Sequence, residues 1–132
     1  PISNKEIYES SKFRNPFNHP SVIYKKNKVI EAGGPKKFTD FDDYYLWLRM
    51  LNNKVKCINL DYPLLTMRAG ASQAQRRGGL DYVYNEISLF YFAYKIHHIN
   101  FLTFVLNIIL RVPVRLLPYK LRYSLYKLLR KR

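Results

Sequence analysis

The spacing of apolar positions divides this chain into stretches of helical rhythm and short runs of strand character. Leu46, Trp47, Met50 and Leu51 stand at i, i+1, i+4 and i+5, which puts them on one helical face and predicts a helix over residues 41–51. Asp40, Asp42 and Asp43 crowd its N-terminal end, where the helix dipole favours carboxylates. Residues 21–24 are a β-branched and aromatic run that reads as a buried strand, and 55–60 and 64–67 read as two more strands around an Asp61-Tyr62-Pro63 turn. A short helix over 25–32 is stopped by Gly33-Gly34-Pro35. Residues 1–12 are polar and helix-compatible, 14–20 form an irregular loop with two prolines and two asparagines, and 69–79 form a small, polar, glycine-bearing loop.

The pattern changes in the last third. A long aromatic helix is predicted over residues 80–96. Residues 99–110 are almost continuously apolar, about 12 residues where a bilayer-spanning helix needs roughly 20. Val114, Leu117, Leu121, Leu125 and Leu128 follow a 3-4-4-3 spacing, which predicts an amphipathic helix from near Pro113 or Pro118 with Lys and Arg on the remaining face.

Charge sharpens this division. The 132 residues hold 23 Lys and Arg against nine Asp and Glu, a net charge of +14. All nine acids lie at or before residue 86, where 14 basic residues leave a net of +5; residues 87–132 hold nine basic residues and no acid. Residues 1–86 read as ordinary mixed globular sequence and 87–132 as a basic amphipathic helical region facing an anionic partner, a membrane surface or a nucleic acid. The aromatic residues fall on apolar faces and no nucleic-acid motif accompanies them, so the membrane surface is the expected partner and nucleic acid is not. The length suits one domain with a modest core, and 48% hydrophobic with 16% aromatic content excludes a disordered tail. Cys57 has no second cysteine for a disulfide and no companions for a zinc site, which favours a reducing compartment. No secretory leader pattern is visible, and the absence of an initiating Met suggests a piece of something longer.

The sharpest chemical feature is Asp42-Asp43 at the start of an amphipathic helix. Adjacent carboxylates there can hold one ionised base in place while the other caps backbone amides, or they can be solvated acids favoured by the dipole. Arg76 and Arg77, beside Gly78-Gly79, can close on an anionic group or belong to a solvated loop, and Arg68 is a weaker candidate of the same kind. His19, next to Asn18, can meet a ligand hydroxyl or a metal, or simply tie down its loop. His97-His98 lacks partners at metal-ligand spacing and reads as an interfacial or helix-end pair, Trp47 as a core residue, and Cys57 as a small buried hydrophobe.

Asn15-Pro-Phe-Asn-His-Pro-Ser-Val22, Ala32-Gly33-Gly34, Phe41-Asp-Asp-Tyr-Tyr-Leu-Trp-Leu-Arg49 and Arg76-Arg-Gly-Gly79, taken in order over roughly residues 13–90, resemble family 2 glycosyltransferases. The resemblance is to the C-terminal half of the catalytic domain in bacterial enzymes that build capsule, exopolysaccharide or lipopolysaccharide glycans. It implies an α/β class, the C-terminal part of a GT-A (Rossmann-like) fold followed by amphipathic C-terminal helices. The family's helix motif usually runs Glu-Asp-Tyr-Asp-Leu-Trp, and its second acid is the base on the acceptor hydroxyl. By position Asp43 matches that base and Asp42 the preceding acid; Tyr45 stands where Asp is common.

The resemblance further implies an inverting transfer from a nucleotide-sugar donor to a lipid-linked or saccharide acceptor. His19 and Asn18 would lie near the acceptor, and Arg76, Arg77 and Arg68 near the donor diphosphate. A divalent metal, Mg or Mn, is expected with its main ligands outside this chain, since the resemblance places the Asp-x-Asp motif in the upstream half and these 132 residues are expected to lack it. The expected site is the cytoplasmic face of the inner (plasma) membrane, held peripherally, with the 132 residues a fragment, inactive alone, whose missing strands leave an edge open to self-association. The reading from another class is a non-catalytic membrane- or protein-binding helical module that keeps the helix pattern.

Overall fold

The structure, a computed structural model, describes residues 1–66 and 77–130, with 126–130 described by their backbone only. Among the described residues there are six α-helices: α1 (Asn4–Ser10), α2 (Lys26–Glu31), α3 (Asp42–Asn52), α4 (Leu80–Lys95), α5 (Phe101–Leu116) and α6 (Tyr119–Arg130). Short 3-10 turns occupy His19–Ser21 and Thr39–Phe41.

Local chemistry sets several of the boundaries. Ser3 caps α1 by accepting the Glu6 N–H while Glu6 accepts the Ser3 N–H, a capping box. Asn100 starts α5 by accepting the Thr103 N–H at 2.8 Å. α4 ends where His97 takes a positive φ of 56°. There the His98 N–H returns to the Ala93 carbonyl and the His97 N–H to Tyr94, the two bonds of a Schellman closure.

α3 is the central element because it is apolar on two sides. Tyr44 and Leu48 pack with Leu89, Phe90, Ala93 and Ile99, which come from α4 and the turn after it. Leu46, Trp47 and Met50 pack instead with Val29 and Ala32 of the α2 region. The i, i+1, i+4, i+5 pattern therefore covers four of the six residues this helix buries and leaves out Tyr44 and Leu48. Arg49 fixes its C-terminal half by donating to the Ala32 and Gly34 carbonyls at 2.6 and 2.8 Å, a turn that Gly33 and Gly34 make at φ of 85° and 70°.

α4 and α5 form a helical hairpin closed by a buried charge cluster. Glu86, 4% exposed, receives Arg111 at 2.7 Å and Arg115 at 2.8 Å. α4 thus runs straight through the charge break at residue 86. From α6, Arg122, 4% exposed, donates to the Arg115 and Leu117 carbonyls at the open C-terminal end of α5. Its guanidinium fills the space a side chain would take at Gly78: a Cβ there would fall 1.7 Å from Nη1.

Three expectations need correction. The described residues contain no β-strand, so the α/β part of the expected class is not met by them. Residues 55–60 do alternate, with Val55, Cys57 and Asn59 turned inward and Lys56, Ile58 and Leu60 outward. Their backbone bonds, however, go to the start of the chain, with Cys57 N–H to Asn4 Oδ1 at 2.9 Å and Asn59 N–H to the Ile2 carbonyl at 3.1 Å. The side-chain period of a strand is present without a second strand to form a ladder. Of the strand expected over 64–67, residues 64–66 are exposed and not in a strand while 67 lies outside the described residues, and the run at 21–24 enters from a 3-10 turn with Ile23 fully in solvent. Finally, the stripe from Val114 to Leu128 is not one helix: Leu117 turns extended at ψ of 143° before Pro118, leaving Val114 on α5 and Leu121 on α6.

Candidate functional site

The N-terminal end of α3 meets the loop before α2 through one side-chain pair. Asn15 donates from Nδ2 to Asp43 Oδ2 at 3.0 Å, and its own Oδ1 accepts the Phe17 N–H at 3.1 Å, which rigidifies the loop around it. The other oxygen of Asp43 accepts the Tyr44 N–H at 2.7 Å. Asp43 is half-buried at the first turn of its helix, and a backbone amide and a side-chain amide together orient its carboxylate. Each carboxylate oxygen retains a lone pair for an incoming proton.

Asp42 behaves differently. It is exposed and its Oδ1 accepts the Phe38 N–H, so it braces the turn into α3. Asp40 accepts from Asn85 Nδ2 at 3.0 Å, tying the same turn to α4. Asp40-Phe41-Asp42 does spell an Asp-x-Asp string, contrary to the expectation that these residues lack one, and each of its two acids carries one of these braces. Among the described residues no three His, Cys, Asp or Glu side chains come together to hold a cation.

Asn18 and His19 are exposed on the loop that Asn15 anchors. The His19 ring lies 6.2 Å from Trp47, whose indole is also ringed by Phe17 at 5.6 Å and Tyr24 at 5.9 Å. Trp47 is 2% exposed, a core residue as its spacing predicted, yet its Nε1 has no hydrogen-bond partner. Phe17, Tyr24 and Trp47 line an open cleft of about 920 Å³ together with Val55, Ile58 and Leu60.

Arg77 is exposed, and its carbonyl accepts from Arg115 Nη1 at 3.5 Å. A chain of contacts leads from there to the acids: Arg115 over the Tyr82 ring at 4.8 Å, then Tyr82 against Phe41 at 5.1 Å. Arg68 and Arg76 lie outside the described residues. Sequence reasoning missed Asn15 as a site residue, although it opens the quoted loop motif, and it missed Arg115 and Glu86, whose contacts are remote in sequence.

His98 is the helix-end residue expected, but it is buried rather than interfacial. Ser11 donates its hydroxyl to the Tyr8 carbonyl, so the 2.8 Å contact between Ser11 Oγ and His98 Nε2 is a bond the imidazole donates. Nδ1 is then bare and buried without a partner. Burial, reinforced by nearby Lys12, lowers the imidazole pKa to about 4. Burial also raises the Tyr44 phenol well above its ordinary value, and Tyr44 stays a neutral donor to the Ser11 carbonyl at 2.7 Å.

The chain is similar over nearly all of its length to bacterial glycosyltransferases. It is 40% identical, over 95% of its residues and 46% of the other protein, to the UDP-Gal:alpha-D-GlcNAc-diphosphoundecaprenol beta-1,3-galactosyltransferase of Escherichia coli. It is 34% identical to the amylovoran biosynthesis glycosyltransferase AmsE of Erwinia amylovora, over 96% of this chain and 48% of that one. A Haemophilus influenzae glycosyltransferase matches at 35% identity over 96% of this chain and 47% of its own length. The chain spans about half the length of the curated relatives it matches. No family model matches it, and no solved structure does.

Proposed function

We propose that this chain is the C-terminal, acceptor-side part of an inverting family 2 glycosyltransferase of GT-A fold. In this reading it transfers a sugar from a nucleotide-sugar donor to a lipid-linked saccharide during synthesis of a bacterial surface polysaccharide. The observation that carries the reading is Asp43, oriented by Asn15 and the Tyr44 amide at the start of α3. The relatives support the substrate classes, one of them being named for a UDP-sugar donor and a diphosphoundecaprenol-linked acceptor.

Asp43 takes the proton from the attacking acceptor hydroxyl as that oxygen bonds to the anomeric carbon from the face opposite the diphosphate. The bond from that carbon to the diphosphate oxygen breaks with its electron pair, and the configuration inverts. The Asn15 amide holds Asp43 at one oxygen and leaves the rest of the carboxylate for the hydroxyl. Asp42 fixes the turn that presents it, and Asn18 and His19 offer donors to the acceptor sugar from the anchored loop. Arg77, with Arg76 and more weakly Arg68, meets the charge developing on the diphosphate. A divalent cation, Mg or Mn, would supply further charge neutralisation there, with its main ligands on the half of the enzyme not included here.

Residues 1–86 form the acceptor-side part in this reading, and residues 87–132 hold the enzyme peripherally on the cytoplasmic face of the inner membrane. Asp43→Asn in the complete enzyme tests the base. Transfer falls by about 10²–10⁴-fold if the assignment is right. Activity surviving within a few fold sinks it.

A further inference from the structure

α5 is turned inside out for a helix packed on a domain in water. Its polar side chains point inward: Asn107, 1% exposed, donates to the Lys12 and Thr103 carbonyls, and Arg111 and Arg115 close on Glu86. Arg111 also donates to the Phe13 carbonyl. Every exposed residue of the helix is apolar. Leu102, Leu106, Ile109, Leu110 and Leu116 repeat at helical spacing along the outward side, with Leu102 75% and Ile109 63% exposed. The helix cannot roll to bury this stripe, because doing so would pull both arginines off Glu86 and expose Asn107. The apolar side is thus built to meet an apolar medium.

We propose that the outward face of α5 is a membrane-insertion surface, lying flat at the boundary between headgroups and acyl chains of an anionic bilayer. Three observations favour lipid as the occupant. Residues 87–132 carry nine basic residues and no acid, a charge complement to anionic headgroups. Aromatic and basic side chains flank the stripe: Lys95 stands 5.4 Å over the Tyr91 ring near its start, and exposed Tyr119, Lys120 and Tyr123 follow its end. Length supplies the third: the 16 residues of α5 extend about 24 Å, and among the described residues no helix is long and apolar enough to cross a membrane. An amphipathic helix of this kind lies in the interface plane.

The inference rests on the membrane-surface part of the proposed function and relocates its anchor. The basic terminal helix alone holds the protein by charge; the α5 face holds it by insertion, with α6 supplying charge beside it. The test is flotation of the whole 132-residue chain with mixed phosphatidylcholine–phosphatidylglycerol vesicles. The triple variant Leu106→Gln, Ile109→Gln, Leu110→Gln partitions about 100-fold more weakly with its helical circular dichroism unchanged. Ile30→Gln, an equally exposed apolar residue on α2, floats like the wild type. Binding of the wild type weakens in high salt but persists, because the inserted face is not screened. A triple variant that floats like the wild type, or a wild type that does not float, overturns the proposal. So does a wild-type dimer in sedimentation velocity that the triple variant splits, if no vesicle binding accompanies it. Flotation reads no sugar transfer, so a complete enzyme that floats but tolerates Asp43→Asn would refute the catalytic assignment and leave this surface standing.

Discussion

The imidazole of His98 is held neutral by what surrounds it. Protonating the bare Nδ1 would bury a cation with no acceptor, beside Lys12, and the pKa falls to about 4. In the unfolded chain a histidine titrates near 6.5. Between those values the unfolded state binds a proton that the folded state refuses, so stability falls as the pH drops through this window and is fully present above it. Thermal unfolding followed from neutral pH down to about 4 is expected to show this loss in the wild type and a flatter profile in His98→Gln. Asn15 makes a second case at the same scale. Truncating it to Ala frees Asp43 at one oxygen, so in the complete enzyme kcat drops about tenfold with the acceptor KM little changed. A proportional rise in KM would mark Asn15 as an acceptor-binding group and not as a positioning residue. Asp43 was legible in the sequence because a carboxylate at a helix start has a local cause. Asn15 was not, because its partner is 28 residues away and no periodicity links them.

The helices show which signals survive folding. α3 and α4 appear close to where apolar spacing placed them, since that signal is carried within each segment. The strand over 55–60 kept its alternation but lost its identity, because a strand is completed by a partner and sequence period alone does not supply one. The terminal stripe failed for a different reason: its regular 3-4-4-3 spacing continued across Pro118, where the backbone could not. Glu86 was invisible as a structural residue, being one acid among nine until α5 brought two arginines onto it. Removing its charge leaves two guanidinium groups against a buried amide, and Glu86→Gln is expected to cost about 3 kcal/mol in denaturant unfolding. Loss of less than about 0.5 kcal/mol would mean that water replaces the carboxylate.

At the scale of the whole molecule, the chain carries the acid, the loop and the basic helices of the proposed enzyme, but spans less than half of its relatives. The expected outcome of a transfer assay with the isolated 132 residues is therefore no product, alongside a complete enzyme as positive control. Turnover by the isolated chain would overturn the assignment of the donor side to the missing half. The lodging of Arg122 against Gly78 fits that glycine to the last helix. Such a fit has a genetic signature. Alanine at position 78 forces the guanidinium of Arg122 to shift, a modest cost because that group ends a flexible side chain, and the cost disappears once position 122 is shortened to Ala. The two substitutions form a pair whose combined defect is smaller than their sum, and random mutagenesis followed by suppressor selection is expected to recover position 122 as the route by which a side chain at position 78 is accepted.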